Sequence, residues 1–244
     1  MENREKITLA VVMPVFNEEK TIHRVVAEWI ALLSSLGIPF RLAVYDDGST
    51  DTTPALLDQL AARYAAVEVH RTTNTGHGPT ILLGYLDNRD AEWILQVDSD
   101  DEVSAVHFGA FWEQRKAYDF VIANRQGRQA RFLRRLFSRT AAALVHTLYG
   151  GTVRDVNAPY RLMRVAAFAP CYQAIPTYYF APNLAVTGYA ARHGVPTLEL
   201  PVPHRSAATG AVATSTPRIV KGAVRSLWQI VSFRTLCAKL EPRP

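Results

Sequence analysis

The sequence predicts an α/β fold, a mostly parallel sheet with helices on both faces. Three observations carry this. Apolar runs of strand length alternate with segments of helical period through the first half of the chain. Those runs are apolar throughout rather than at every second position, as strands buried on both faces are. Two of them end in acidic clusters, Asp46-Asp47-Gly48 and Asp98-Ser99-Asp100, at the strand ends where open α/β sheets bind ligands.

Residues 7–13, ITLAVVM, form the first expected strand, stopped by Pro14. Ile22, Val25, Val26, Trp29, Ile30 and Leu33 then share one helical face. Residues 41–45 are the second strand and lead into Asp46. Thr53-Pro54 opens a helix, since proline suits a first turn, with Leu56, Leu57, Leu60 and Ala61 turned inward. A strand at 67–70, a short helix at 78–88 and strands at 93–97 and 119–124 follow. From Pro217 to about Leu240 the chain reads as a helix, with Val220, Val224, Leu227, Trp228 and Val231 as its apolar stripe and Lys221 and Arg225 beside it. That pattern suits packing on the domain or a helix drawn to anionic lipid. Before it, residues 206–217, SAATGAVATSTP, have the composition of a mobile loop that closes over substrates.

Composition narrows the function. At 244 residues and 48% hydrophobic content the chain can bury a sizeable core. Two cysteines, Cys171 and Cys237, are too few for a disulfide framework and point to a reducing compartment. No apolar run reaches the length of a membrane span, and the first residues lack a signal peptide's apolar core. The expectation is a cytoplasmic protein, or one peripheral on the inner face of the membrane.

The net charge of +5 is split unevenly. Residues 1–119 hold 10 basic and 19 acidic side chains, a net of −9, which leaves 17 basic and 3 acidic ones, a net of +14, for the rest. No zinc-finger spacing, basic zipper or RNA-binding aromatic motif accompanies the basic half, so nucleic acid is not the expected partner. An acidic half suited to a metal, joined to a basic half suited to anions, fits phosphate chemistry instead. Arg125, Arg128, Arg131, Arg134, Arg135 and Arg139 form a run without Asp or Glu, which repels itself unless an anion is present. Carboxylates two apart in an extended segment face the same way, so Asp98 and Asp100, with Glu102 two further on, are candidate ligands for Mg²⁺ or Mn²⁺. Asp101 is expected to point away into solvent.

VVMPVFNEEKTI, VYDDGSTDTT, GHGPTILLGY and LQVDSDDE together resemble the successive motifs of family 2 glycosyltransferases with the GT-A fold. NRQGRQARFLRRLFSRTAAALV, DVNAPYRLMR and PHRSAATG are similar to the acceptor-side segments of the dolichyl- and polyprenyl-phosphate mannose or glucose synthases within it. The resemblance spans residues 7–225 and implies one catalytic domain over residues 1–240. Within it, 1–119 form the nucleotide-sugar and metal half, 120–216 the acceptor half and lid, and 217–240 an amphipathic helix.

The resemblance also implies site residues. Pro14, Phe16, Asn17, Glu18, Asp46, Asp47, Gly76, Gly78, Asp98 and Ser99 match the nucleotide-binding segments, and Gly84 completes the glycine spacing. Asp98, Asp100 and Glu102 match the metal motif, although glutamine is usual at the third position. Arg125, Arg134, Arg135, Ser138 and Arg205 match acceptor-phosphate contacts. Thr209-Gly210-Ala211 replaces the lid's usual glycine-serine-lysine. The implied reaction is sugar transfer, with inversion, from a nucleoside diphosphate sugar to a polyprenyl phosphate. A hydroxyl acceptor would need a base, for which Asp155 is the candidate, with Asp100, Arg125 and Arg134 at the reacting centre. His77 is an alternative base or a structural residue. A nucleotidyltransferase should carry glycines directly after the first strand, where this chain has PVFNEEKT. A non-catalytic nucleotide-sugar-binding protein would be expected to have lost its metal aspartates. A homo-oligomer is compatible with all of these readings.

Overall fold

The computed structural model describes residues 7–127, 132–205 and 216–240. Seven strands among them form one sheet: β1 (Leu9–Val15), β2 (Phe40–Asp46), β3 (Val67–Arg71), β4 (Trp93–Gln96), β5 (Phe120–Gln126), β6 (Arg161–Arg164) and β7 (Thr197–Pro203), in the order β3-β2-β1-β4-β6-β5-β7. The first four strands are parallel neighbours. β6 runs antiparallel to both β4 and β5, while β7 is parallel to β5.

The first half follows the sequence pattern closely. Every residue of β1 is buried, as expected of a central strand covered on both faces. Helix α1 (Ile22–Ser35) buries the six expected apolar residues, and the Trp29 ring lies 5.9 Å from both Phe108 and Tyr160. Helix α2 (Thr53–Arg63) opens with proline in its first turn. Helix α3 (His77–Asp87) sits unusually close to the sheet, because a Cβ on Gly84 would stand 2.3 Å from Val12 Cγ1.

From Phe108 on, the chain contains elements the periodicity did not predict: α4 (Phe108–Gln114), α5 (Phe132–Tyr149), β6, α6 (Val165–Ala174), α7 (Pro182–Arg192) and β7. Helix α7 is buried along every side from Pro182 to Ala190, so it has no apolar stripe to detect. The last helix, α8 (Thr216–Cys237), buries Gln229, Ile230, Phe233 and Cys237. The expected stripe is therefore not its core face: Val220, Val224, Trp228 and Val231 are exposed, and Leu227 is half-buried. Residues 206–215, which carry most of the expected lid, lie outside the described residues, as do Arg128 and Arg131.

The reversal of β6 shapes the site. The loops leaving β1, β2 and β4 lie at their carboxyl ends, at one edge of the sheet. An antiparallel β6 brings its entry segment, residues 155–160, to that same edge. Parallel β5 and β7 end there too, with Arg125 and His204.

Candidate active site

Two cavities open along this edge. The first, about 320 Å³, is lined by Pro14, Phe16, Glu18, Asp47, Gly76 and Ser99 among others. The second, about 450 Å³, is lined by Arg125, Ser138, Asp155, Asn157, Phe180 and Leu227 among others. His77, Asp98 and Asp100 belong to both walls.

The first cavity is built by loops that bind each other. Asn17 adopts a left-handed backbone (φ 55°), which asparagine tolerates better than most residues. Its Oδ1 accepts from Thr50 N (2.8 Å), and its own N–H donates to Ser49 Oγ (2.9 Å). Asp46 accepts from Ser49 N, three residues on, at 2.9 Å and so braces the turn after β2. Asn17 and Asp46 are thus absent from the cavity lining, and their side chains hold the loops that shape it. Asp47 lines the cavity, but its carboxylate also accepts from Thr75 N (2.8 Å) and Gly76 N (2.9 Å). It fixes the loop before α3 and faces the cavity. Gly78 does not line this cavity: a Cβ there would meet Phe180 O at 2.2 Å, so its role is backbone packing.

Burial, and then Asp51 and Asp98, raise the Glu18 carboxyl above its ordinary value, against the hydroxyl of Thr21. Asp100 is pushed up to about 7, first by burial and then by the carboxylates of Asp98 and Glu102. Gln96, fully buried, donates to Asp98 Oδ1 at 3.0 Å, and His77 Nε2 lies 3.5 Å from the same oxygen.

The expected metal triad is not assembled: among the described residues, no three His, Cys, Asp or Glu side chains are grouped to hold an ion. Side chains two apart share a direction only in an extended chain, and Asp101 breaks the extension with φ 60°. Asp100 Oδ1 accepts from Glu102 N at 3.0 Å, closing a turn. The Glu102 carboxylate then faces 3.0 Å from His204 Nε2 and 3.5 Å from Arg125 Nη1. Asp101 is not solvated either. It is mostly buried between Arg24 (2.9 Å) and Arg205 (3.4 Å). Arg205, expected at the acceptor phosphate, is thereby held outside the second cavity's lining. Asp98 and Asp100 remain together, with the charges of Glu18 and Glu102 adding to the Asp100 shift. Asp98 and Asp100 offer hard oxygen donors of the kind a divalent cation takes.

In the second cavity Arg125 is the buried cation, its side chain 5% exposed. Its Nε donates to Asp155 Oδ2 at 2.8 Å and its Nη2 to Asp155 Oδ1 at 3.1 Å. Glu199 holds the backbone of this segment, accepting from Arg154 N (2.9 Å) and Asp155 N (2.8 Å). Ser138 lines the cavity and Arg135 is exposed on α5, while the side chain of Arg134 lies outside the described residues. Sequence reasoning missed Gln96, Asn157 and Asn183. Gln96 did leave a signal, as the polar residue of the otherwise apolar strand WILQV.

A family model described as Glycosyl transferase family 2 matches residues 10–169, about two thirds of the chain. The chain belongs to glycosyl transferase family 2. An undecaprenyl-phosphate 4-deoxy-4-formamido-L-arabinose transferase of Pseudomonas paraeruginosa is 30% identical over 218 residues, 87% of this chain and 62% of that protein. Its namesake in Edwardsiella ictaluri is 27% identical over 199 residues, 80% of this chain and 59% of that protein. The chain thus spans about three fifths of these family members. Among solved structures, glucosyl-3-phosphoglycerate synthase from Mycobacterium tuberculosis, in complex with Mn²⁺, UDP-glucose and phosphoglyceric acid, superposes with TM-score 0.66 at 16% identity, covering 96% of this chain and 81% of that one. Mannosyl-3-phosphoglycerate synthase from Rubrobacter xylanophilus gives TM-score 0.63 at 13% identity, covering 98% and 77%. These are GT-A glycosyltransferases, and the fold of this family 2 member is theirs.

Proposed function

We propose that this chain transfers a sugar, with inversion, from a nucleoside diphosphate sugar to a polyprenyl phosphate. One observation carries the reading: two cavities meet at Asp98 and Asp100, one framed by the loops after β1 and β2 and the other holding a buried arginine. The named acceptor of the curated relatives is a lipid phosphate, and the structural neighbour was crystallised with Mn²⁺ and a uridine nucleotide. Residues 1–240 act as one catalytic domain on this reading.

The donor's base and ribose occupy the first cavity, against Pro14, Phe16 and Asp47, with its diphosphate towards Asp98 and Asp100. These two aspartates would hold Mg²⁺ or Mn²⁺, which supplies Lewis-acid stabilisation of the charge developing on the leaving diphosphate. The aspartates serve the cation and are not general acids. Across the shared wall, the Arg125 guanidinium is oriented by Asp155 and faces Glu102, and its remaining N–H groups would meet the acceptor phosphate. A phosphate monoester is an anion near neutral pH, with a second pKa of about 6. It can attack the anomeric carbon without a protein base. Both Asp155 oxygens meet the Arg125 guanidinium, which weighs against the hydroxyl-acceptor alternative.

The acceptor's lipid requires access to a bilayer. Among the described residues no helix is long and apolar enough to cross one. Helix α8 instead presents Val220, Val224, Trp228 and Val231 outward, beside exposed Lys221 and Arg225, while its Ala223, Ser226 and Leu227 line the second cavity. A helix lying in the membrane interface would open that cavity to the lipid. The test is transfer from a panel of radiolabelled UDP- and GDP-sugars with Mn²⁺ to a short-chain polyprenyl phosphate. A glycosyl phospholipid product supports the reading. Transfer confined to neutral hydroxyl acceptors overturns it.

A further inference from the structure

Behind the shared wall lies a buried polar chain that meets the second cavity at Asn183 as well as at its ends. Gln96 is fully buried, and its amide N–H donates to Asp98 Oδ1 at 3.0 Å. Its Oε1 accepts from Asn183 Nδ2 at 3.0 Å, while Tyr85 OH donates to Asn183 Oδ1 at 2.8 Å. The Asn183 backbone carbonyl accepts from Arg161 Nη1 at 3.0 Å. Arg161, also fully buried, clamps the Ala158 carbonyl through Nε (2.9 Å) and Nη2 (2.6 Å). Thr187 Oγ1 joins the Val156 and Asn183 carbonyls. From Asp98 the chain therefore runs without interruption to segment 155–160, the acceptor-side loop.

We infer that Gln96 is a positioning residue for Asp98, that Asn183 fixes its amide, and that together they set the cation-holding carboxylate in register with the acceptor loop. A buried amide in an apolar strand is costly unless its groups are bonded. Here Asn183 takes the Gln96 carbonyl and so leaves the Gln96 N–H to face Asp98. Outer partners of this kind tune a metal site, and losing one typically weakens metal affinity or activity by about 10–100-fold.

This rests on the reading of Asp98 as a cation ligand, and the experiment separates the two. Mn²⁺ binding is measured by electron paramagnetic resonance in the presence of UDP or GDP, whichever the wild-type chain binds. Measurements cover the wild type, Asp98→Ala, Gln96→Met and Tyr85→Phe, with melting temperature recorded in parallel. Gln96→Met keeps the volume and loses the amide. It should bind Mn²⁺ about tenfold more weakly and lower kcat more than the donor KM. Tyr85→Phe removes only the hydroxyl that bonds Asn183 at 2.8 Å and Gln96 Oε1 at 3.4 Å, and it should weaken Mn²⁺ about threefold. If Gln96→Met does not fold, Tyr85→Phe decides. Lowered melting temperatures with wild-type Mn²⁺ affinity would mean a merely structural chain and overturn the inference alone. A wild type that binds no Mn²⁺, or an Asp98→Ala variant that binds it normally, overturns the cation reading and this inference with it.

Discussion

Arg125, near the end of β5, and Asp155, in the segment entering β6, meet as a fork with nitrogen–oxygen distances of 2.8 and 3.1 Å. They stand 30 positions apart in sequence, and the antiparallel course of β6 brings them together. The pair is nearly dry on the arginine side, so its members depend on each other. Asp155→Ala should cost about 3 kcal/mol in urea unfolding, at the low end for broken buried pairs because Glu102 stays 3.5 Å away. Were Asp155 a catalytic base instead, Asp155→Asn would be inactive at unchanged stability.

Arg125→Ala should lower transfer to polyprenyl phosphate by at least a hundredfold while the donor nucleotide binds as before. Calorimetric titration with the nucleotide, alongside the transfer assay, checks this. Equal losses of nucleotide affinity and transfer would place Arg125 in the donor pocket.

The Asp100 carboxyl has a direct consequence for stability. Its folded value, about 7, exceeds the ordinary 3.8 because burial and neighbouring acids disfavour its charge. The folded state therefore holds this proton more tightly than the unfolded chain. That contribution is complete below about pH 4 and is lost as pH rises through 7. In EDTA, the Asp100→Asn variant should lack this fall in melting temperature between pH 5 and 8. Mn²⁺ should restore the wild-type value at pH 8. A wild-type melting temperature rising across that range would contradict the assignment.

Gly78→Ala places a methyl group 2.2 Å from the Phe180 carbonyl oxygen, where backbone must move. The expected cost is about 1–3 kcal/mol, with the rim of both cavities disturbed. Thermal melting measures it. An unaffected Gly78→Ala would mean that α3 and the 179–180 segment separate easily.

On α8, Val224→Glu with Trp228→Glu alters two residues each 59% exposed, so folding should be unchanged. Co-sedimentation with vesicles rich in anionic phospholipid should fall severalfold. Undiminished binding would mean that another surface meets the membrane.

Legibility in the sequence followed burial geometry. β1 and β2 were readable as uninterrupted apolar runs, and α1 by its single helical period. Asp98 and Asp100 were readable because acids at the end of such a strand demand an explanation. Arg161 was not, since arginine normally argues for solvent, and here backbone carbonyls surround it. Helix α7 was hidden by being buried on all sides. Glu102 was misplaced because its direction depends on the left-handed Asp101, a conformation that residue type alone does not announce.

His77, Asp98 and Asp100 form a wall common to two cavities, each lined elsewhere by residues of its own. For a transferase so built, a water-borne donor and a membrane-borne acceptor do not queue at the same door. Initial-rate plots against the two substrates should intersect, as for a ternary complex, instead of running parallel. On the proposed reaction, spent nucleotide would leave to the aqueous side while the glycosylated lipid stayed in its own phase, so turnover would not require the protein to leave the bilayer.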